Sequence, residues 1–258
     1  MTIKYKNINL YFTDEGKGEA VVLLHGFLEN SSMWTNLAPE ISKNHRVVTI
    51  DLLGHGQTDS IGYIHTMEMM AEAVKAVLEH LQIEQANFIG HSMGGYVALA
   101  YAENYTSDVT GLCLMNSTAQ EDSDERKLNR DRAIKAVKQN HRTFVSMSVA
   151  NLFAPKNREA LKEAIDFVKE QALETSIQGI VAALEGMKTR KDRTRFFKAL
   201  PINKMLIVGR KDPVLEFNTT VSHVEHSDVK IVEFPDGHMS HIENTKELTY
   251  NILHFIEN

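Results

Sequence analysis

Gly90-His91-Ser92-Met93-Gly94 is the stretch on which the reading of this chain turns. It has the form G-x-S-x-G. The apolar run Ala86 to Ile89 leads into it, and Gly95-Tyr96-Val97-Ala98-Leu99-Ala100-Tyr101-Ala102 follows with small and apolar residues at helical spacing. A strand, a sharp turn and a helix form the context in which this pentapeptide presents its serine as a nucleophile. A serine hydroxyl is a poor nucleophile unless a base can reach it, so the turn has to hold Ser92 out. The flanking glycines, lacking Cβ atoms, let strand and helix approach around a strained residue. The helix start also offers unpaired backbone N–H groups and a positive dipole end to a developing oxyanion.

Working outward, buried-type strands alternate with amphipathic helices. Ala20-Val21-Val22-Leu23-Leu24 is continuously apolar and ends at His25-Gly26-Phe27. Arg46 to Ile50 ends at Asp51-Leu52-Leu53-Gly54-His55-Gly56. Met70, Val74, Val77, Leu78 and Leu81 then share one helical face, and a strand from Val109 to Asn116 follows the nucleophile helix. Near the C-terminus, Lys204 to Val208 leads to Gly209-Arg210-Lys211-Asp212-Pro213, and Lys230 to Phe234 leads to Pro235-Asp236-Gly237-His238. A closing helix buries Leu248, Ile252 and Phe255, with Asn244 as N-cap and Glu247 three residues on. The first twenty residues read as a hairpin closing at Asp14-Glu15-Gly16-Lys17-Gly18. This alternation predicts a mostly parallel sheet covered on both faces.

The pattern breaks between Thr118 and Leu200, where no buried-type strand is found. Glu121-Asp122-Ser123-Asp124-Glu125-Arg126 reads as a solvated helix face. Two clearer helices carry Leu161, Ile165, Val168 and Ala172, and Ile177, Val181, Leu184 and Met187. An all-helical insertion between sheet strands reads as a cap over the strand ends, and Pro201 closes it.

Ser92, Asp212 and His238 each follow a predicted strand, at the edge where open α/β sheets place their sites. Together with His25-Gly26-Phe27, Asp51 to Gly56, and His241-Ile242-Glu243-Asn244 behind Gly237-His238, they form separated motifs in one order. In this the sequence resembles the α/β-hydrolase superfamily, in its capped esterase, lactonase and C–C hydrolase branch. The resemblance implies an eight-stranded, mostly parallel sheet with helices on both faces. It divides the chain into a core of residues 1–117 and 201–258 and a helical cap of residues 118–200. It further implies Ser92 as nucleophile, His238 as base and Asp212 as the acid that orients it. The backbone N–H groups of Phe27 and Met93 would form the oxyanion hole. His241 competes with His238 for the base, and the family pattern, with the base directly after glycine, favours His238. His25 is a candidate for substrate contact or for tying loops together; His55 and Asp51 read as structural. Arg190 is a candidate to hold a substrate carboxylate, against a reading as surface charge. Leu53 and Thr106 depart from common family residues. Serine at position 92 argues against the haloalkane dehalogenase and epoxide hydrolase branches, which carry aspartate there.

The 258 residues suffice for one substantial core, and 43% hydrophobic with 24% charged residues is an ordinary globular profile. A formal net charge of −6 gives no reason to expect nucleic acid or an anionic membrane as partner. The single Cys113 lies in an apolar run and reads as a small core residue. With no signal-peptide core and no membrane-length apolar run, the chain reads as cytoplasmic. Twelve histidines occur without an H-E-x-x-H, so neither a catalytic metal nor another cofactor is expected. The expected partner is a small molecule. The function reading is hydrolysis of a small carboxylic ester or lactone through an acyl-enzyme. A second reading is a C–C hydrolase or related lyase acting on diketo or vinylogous acids. A third is a small-molecule receptor that keeps the fold.

Overall fold

The computed structural model describes residues 1–257. Its eight-stranded sheet has the order β1-β2-β4-β3-β5-β6-β7-β8. The strands are β1 (Thr2–Tyr5), β2 (Ile8–Gly16), β3 (Ala20–Leu24), β4 (Arg46–Ile50), β5 (Ala86–His91), β6 (Val109–Met115), β7 (Asn203–Gly209) and β8 (Lys230–Phe234). β2 is antiparallel to both β1 and β4, and the remaining pairings are parallel. The helices are α1 (Ala38–Ile41), α2 (Met67–His80), α3 (Met93–Asn104), α4 (Asp124–Gln139), α5 (His141–Ala150), α6 (Lys162–Leu173), α7 (Ile177–Lys188), α8 (Thr194–Ala199), α9 (Phe217–Ser222), α10 (Ser240–Glu243) and α11 (Thr245–Ile256).

Side chains alternate across the central strands and so build two cores. Val22 and Leu24 on β3, Phe88 on β5, Leu112 and Leu114 on β6, and Leu206 and Val208 on β7 face one core. Val21 and Leu23, Ile89, Cys113 and Met115, and Met205 and Ile207 face the other. The first core is covered by α2 and α3, the second by Trp34, α1 and α11. Helix α3 is buried at every position from Met93 to Ala102, as expected for a helix apolar all round. It therefore holds whatever sits at its N-terminus in a fixed place.

Three local expectations are corrected. The N-terminal hairpin closes at Lys6-Asn7, both at positive φ (43° and 68°), because two left-handed residues match the twist of a tight hairpin. Asp14 and Glu15 instead extend β2 along β4. Asn244 does precede α11, but its side chain makes no cap bond; its Nδ2 donates to Asp236 Oδ2 at 2.9 Å. Ile177 is exposed, and the buried face of α7 is Ile180, Ala183, Leu184 and Met187.

Between β6 and β7 the described residues form helices α4 to α8 and no strand. Helix α7 lies directly on the main chain of the loops after β4. A Cβ at Gly179 would fall on the Gly54 carbonyl, and one at Gly186 on the His65 carbonyl. His65 N–H donates to Ala182 O at 2.9 Å across the same contact. The charged stretch before α4 is not uniformly solvated. Asp122 is buried (1% exposed) and pairs with Arg130 and Arg190, since a buried carboxylate requires such partners. Among the described residues, no helix is long and apolar enough to cross a membrane.

Candidate active site

Ser92 stands between β5 and α3 with φ 48° and ψ −113°, a conformation that L-residues rarely adopt. The surroundings hold that strain in place. Ser92 N–H donates to Met115 O at 3.0 Å, Ser117 Oγ donates to Ser92 O at 2.7 Å, and Gly95 N–H donates to the same carbonyl at 3.0 Å. A Cβ at Gly94 would strike the Leu24 carbonyl, so only glycine lets α3 start this close to β3.

The loops after β7 and β8 bring Asp212 and His238 to this turn. His238 Nε2 lies 2.9 Å from Ser92 Oγ, and His238 Nδ1 lies 2.7 Å from Asp212 Oδ2. The carboxylate has further donors. The amides of Val214 and Leu215 reach Oδ1 at 2.8 and 3.0 Å, and Asn116 Nδ2 reaches Oδ2 at 3.2 Å. Burial works to raise the Asp212 carboxyl, but His238 and the two amides outweigh it and hold it below its ordinary range. An ionised Asp212 fixes Nδ1 as the protonated nitrogen and leaves Nε2 able to accept a proton from Ser92.

Other residues singled out in the sequence fall into place. His25 is fully buried; its Nε2 accepts from Leu52 N–H at 2.9 Å, so its Nδ1–H donates to Gly26 O at 2.7 Å. It ties the loops after β3 and β4 and has no nitrogen left for substrate, which corrects its candidacy as a substrate contact. Asp51 accepts from Ser31 and Gln57 N–H at 2.7 and 2.8 Å, a structural use. Arg190 is also corrected. It is 3% exposed, pairs with Asp122 at 2.5 Å, donates to the Gln120 and Met187 carbonyls, and lies 4.0 Å from the Tyr96 ring centroid. It is a buried, ion-paired side chain rather than surface charge, with only Nη2 unpartnered.

A family model described as the α/β hydrolase fold matches residues 19–245. The chain belongs to the α/β hydrolase fold family. Along its length this hydrolase-fold chain is similar to the structure of a thermophilic esterase from Thermogutta terrifontis, with 29% identity and a TM-score of 0.89 over 99% of this chain and 96% of that one. It is 25% identical over 245 residues to the dihydrolipoyllysine-residue acetyltransferase component of the acetoin cleaving system of Pseudomonas putida, covering 93% of this chain but 64% of that protein. A 2-hydroxy-6-oxononadienedioate/2-hydroxy-6-oxononatrienedioate hydrolase of Paraburkholderia phymatum is 35% identical over 127 residues, 44% of either chain. The chain thus spans less than two thirds of the length of these curated relatives.

In this α/β hydrolase-fold chain, Ser92 and His238 open on a cavity of about 100 Å³. Phe27, Leu28, Tyr96, Leu152, Met187 and Val214 give it an apolar wall, and Arg130 and Ser148 add polar groups. A larger cavity of about 410 Å³ lies beside it against α6 and shares Leu28 and Glu29 with it. The amides of Phe27 and Met93 have no hydrogen-bond partner among the described residues.

Sequence reasoning missed Glu29, His91, Asn116 and Ser240. Asn116 holds Asp212 and also donates to Gly237 O at 3.2 Å, while Ser240 Oγ donates to Asn116 Oδ1 at 2.6 Å. Asn116 was readable only as a strand-end residue lacking a carboxylate. Glu29, His91 and His241 are buried with ligand-type atoms within 4.8 Å of one another, a His₂Glu set of the kind zinc accepts. Their closest approach, His91 Nδ1 to Glu29 Oε2 at 2.7 Å, is that of a hydrogen bond, which fits a shared proton better than a shared ion.

Proposed function

We propose that the protein is a serine hydrolase of small carboxylic esters or lactones that works through an acyl-enzyme on Ser92. The observation that carries this reading is the unbroken hydrogen-bonded chain Ser92–His238–Asp212 at the wall of a small apolar cavity. Ser92 Oγ attacks the acyl carbon as His238 Nε2 takes its proton. The resulting oxyanion is held by the N–H groups of Phe27 and Met93, and Asp212 stabilises the imidazolium. As the C–O bond breaks, His238 returns the proton to the departing alkoxide. Water, deprotonated by the same imidazole, then releases the acid and restores Ser92. Residues 118–200 act as the cap, contributing Arg130, Ser148, Leu152 and Met187 to the cavity wall. The size of that cavity suits a short acyl group, and the neighbouring 410 Å³ space suits the leaving group. Likeness to the Thermogutta esterase along nearly the whole chain supports the same reading.

A second reading, C–C cleavage of a diketo acid, is favoured by one feature: the guanidinium of Arg130 in the cavity wall, whose Nε and Nη2 are held by Asp122 and whose Nη1 is left to meet a substrate carboxylate. A panel of p-nitrophenyl acetate, butyrate and octanoate, simple lactones and a vinylogous diketo acid separates the two. Short esters or lactones should be turned over fastest and Ser92→Ala should turn over none. Faster cleavage of the diketo acid, lost in Arg130→Ala, would transfer the protein to the second class.

A further inference from the structure

Beside the nucleophile, at the wall of the same cavity, lies a charged pair that the chemistry above does not use. Glu29 is 6% and His91 1% exposed. His91 Nδ1 lies 2.7 Å from Glu29 Oε2, and His91 Nε2 lies 3.0 Å from the main-chain carbonyl of His238. A carboxylate and a carbonyl only accept hydrogen bonds, whereas a neutral imidazole carries one N–H. With Glu29 ionised, both ring nitrogens hold protons and His91 is an imidazolium. Gly26 N–H also donates to Glu29 Oε2 at 2.6 Å, a bond that favours the ionised carboxylate. The result is one continuous chain: Gly26 N–H to Glu29, Glu29 to His91, His91 to the carbonyl of His238. It joins the loop of the Phe27 amide, the residue before Ser92 and the loop carrying the base.

We propose that the Glu29–His91 pair is a positioning device, whose charge fixes the Phe27 amide, Ser92 and the His238 imidazole in one geometry. This rests on the reading of Ser92 and His238 given above. Charge-assisted bonds are shorter and stiffer than neutral ones, and a neutral His91 would set a lone pair against either the carbonyl or the carboxylate. The surroundings agree. Burial opposes both charges, but each partner outweighs it: His91 is held above the ordinary histidine value and Glu29 is pushed down to about 2. The rings of His238 and His241 stand 5.1 and 5.6 Å from that of His91. Asp212 and His25 also act on the pair through charge. His241, buried and driven down to about 4 mainly by desolvation, remains neutral and leaves the charge on His91.

The test combines spectroscopy and kinetics. At about pH 8, where an ordinary histidine is neutral, nitrogen-15 histidine spectra should show one imidazole with both nitrogens protonated. That signal should vanish in His91→Gln, and in the isosteric Glu29→Gln His91 should be neutral. In Glu29→Gln, kcat for p-nitrophenyl acetate per fluorophosphonate-titrated site should fall about 10- to 100-fold, the scale of a small misplacement of reacting groups, with KM changed less than about twofold. The double variant should be no slower than the slower single one. A neutral His91 in the wild type overturns the proposal. So does a Glu29→Gln enzyme with wild-type kcat per folded site and only a lower Tm, which would make the pair merely structural. Failure of the wild-type enzyme to label at Ser92 would instead remove the serine reading, and the positioning role with it.

Discussion

Across the sheet, from Val21 on β3 to Val208 on β7, buried side chains are chiefly apolar and alternate between two faces. The segment between β6 and β7 also buries apolar side chains, Ile134, Val145, Phe153 and Ile180 among them, but closes in addition over charge. Asp122 is paired with Arg130 and Arg190, and Arg193 reaches Glu68 on α2 and Glu103 on α3 at 2.7 and 2.9 Å. Apolar alternation sets register strictly, because a one-residue slip would turn every side chain to the wrong face. Buried ion pairs set partners strictly, because removing one partner strands the other in a poor solvent. The first device delivers Ser92, Asp212 and His238 to one edge of a rigid sheet. The second fastens a helical layer over that edge.

The sharpest way to test this division is to remove chemistry from the sheet edge. Ser92→Ala should abolish fluorophosphonate labelling and ester turnover while leaving the thermal midpoint unchanged or slightly raised, since Ser92 is strained rather than packed for stability. Labelling that survives in this variant would take Ser92 out of the mechanism. Next in size come the two partners. His238→Ala should lose nearly all turnover, whereas His241→Ala should keep much of it. Asp212→Asn should lose a large factor by favouring the wrong imidazole tautomer; in serine proteases the corresponding change costs roughly 10⁴ in kcat. If the two histidine variants behave the other way round, the base is His241.

The helical layer should fail differently. Asp122→Ala strands Arg130 and Arg190 and should cost about 3–5 kcal/mol in chemical denaturation, with labelling of the folded fraction retained. A loss below about 1 kcal/mol would place the pairing among weak surface contacts. The last test concerns pH. His241 and His55 are driven down to about 4 and about 3, chiefly by burial, from an ordinary 6.5. As pH falls below 6.5 the unfolded chain takes up these protons and the folded chain does not, so protonation favours unfolding. Stability should therefore drop between about pH 6.5 and 3 in thermal melts, and His241→Phe should flatten the part of that drop above about pH 4.

Much of this was legible because period and punctuation are local. The strands at Ala20–Leu24, Arg46–Ile50 and Lys230–Phe234, the turn at Ser92, and the order Ser92, Asp212, His238 all carry their signal within a few residues. Glu29 and His91 were not legible, because each looks like an ordinary loop or motif residue until the fold brings them within 2.7 Å across 62 positions of chain. Arg190 misled for the same reason: its partner Asp122 lies 68 residues away in a segment whose other members are mostly exposed. The hairpin turn was misplaced because Gly16 and Gly18 punctuate more loudly than Lys6-Asn7, although it is Lys6-Asn7 that closes the strand pair.

The contact of α7 with the Gly54 and His65 carbonyls has a consequence for the shape of the cavity. Met187, a wall of the space beside Ser92, follows Gly186 on the very turn that rests on the main chain. The height of that wall is therefore set by two side chains that are not there. Adding a methyl at 179 or 186 would work as a shim under a lid, lifting Met187 away from Ser92 without altering any residue that faces the substrate. Gly179→Ala or Gly186→Ala should therefore shift the preference among p-nitrophenyl esters of different chain length with the lining unchanged.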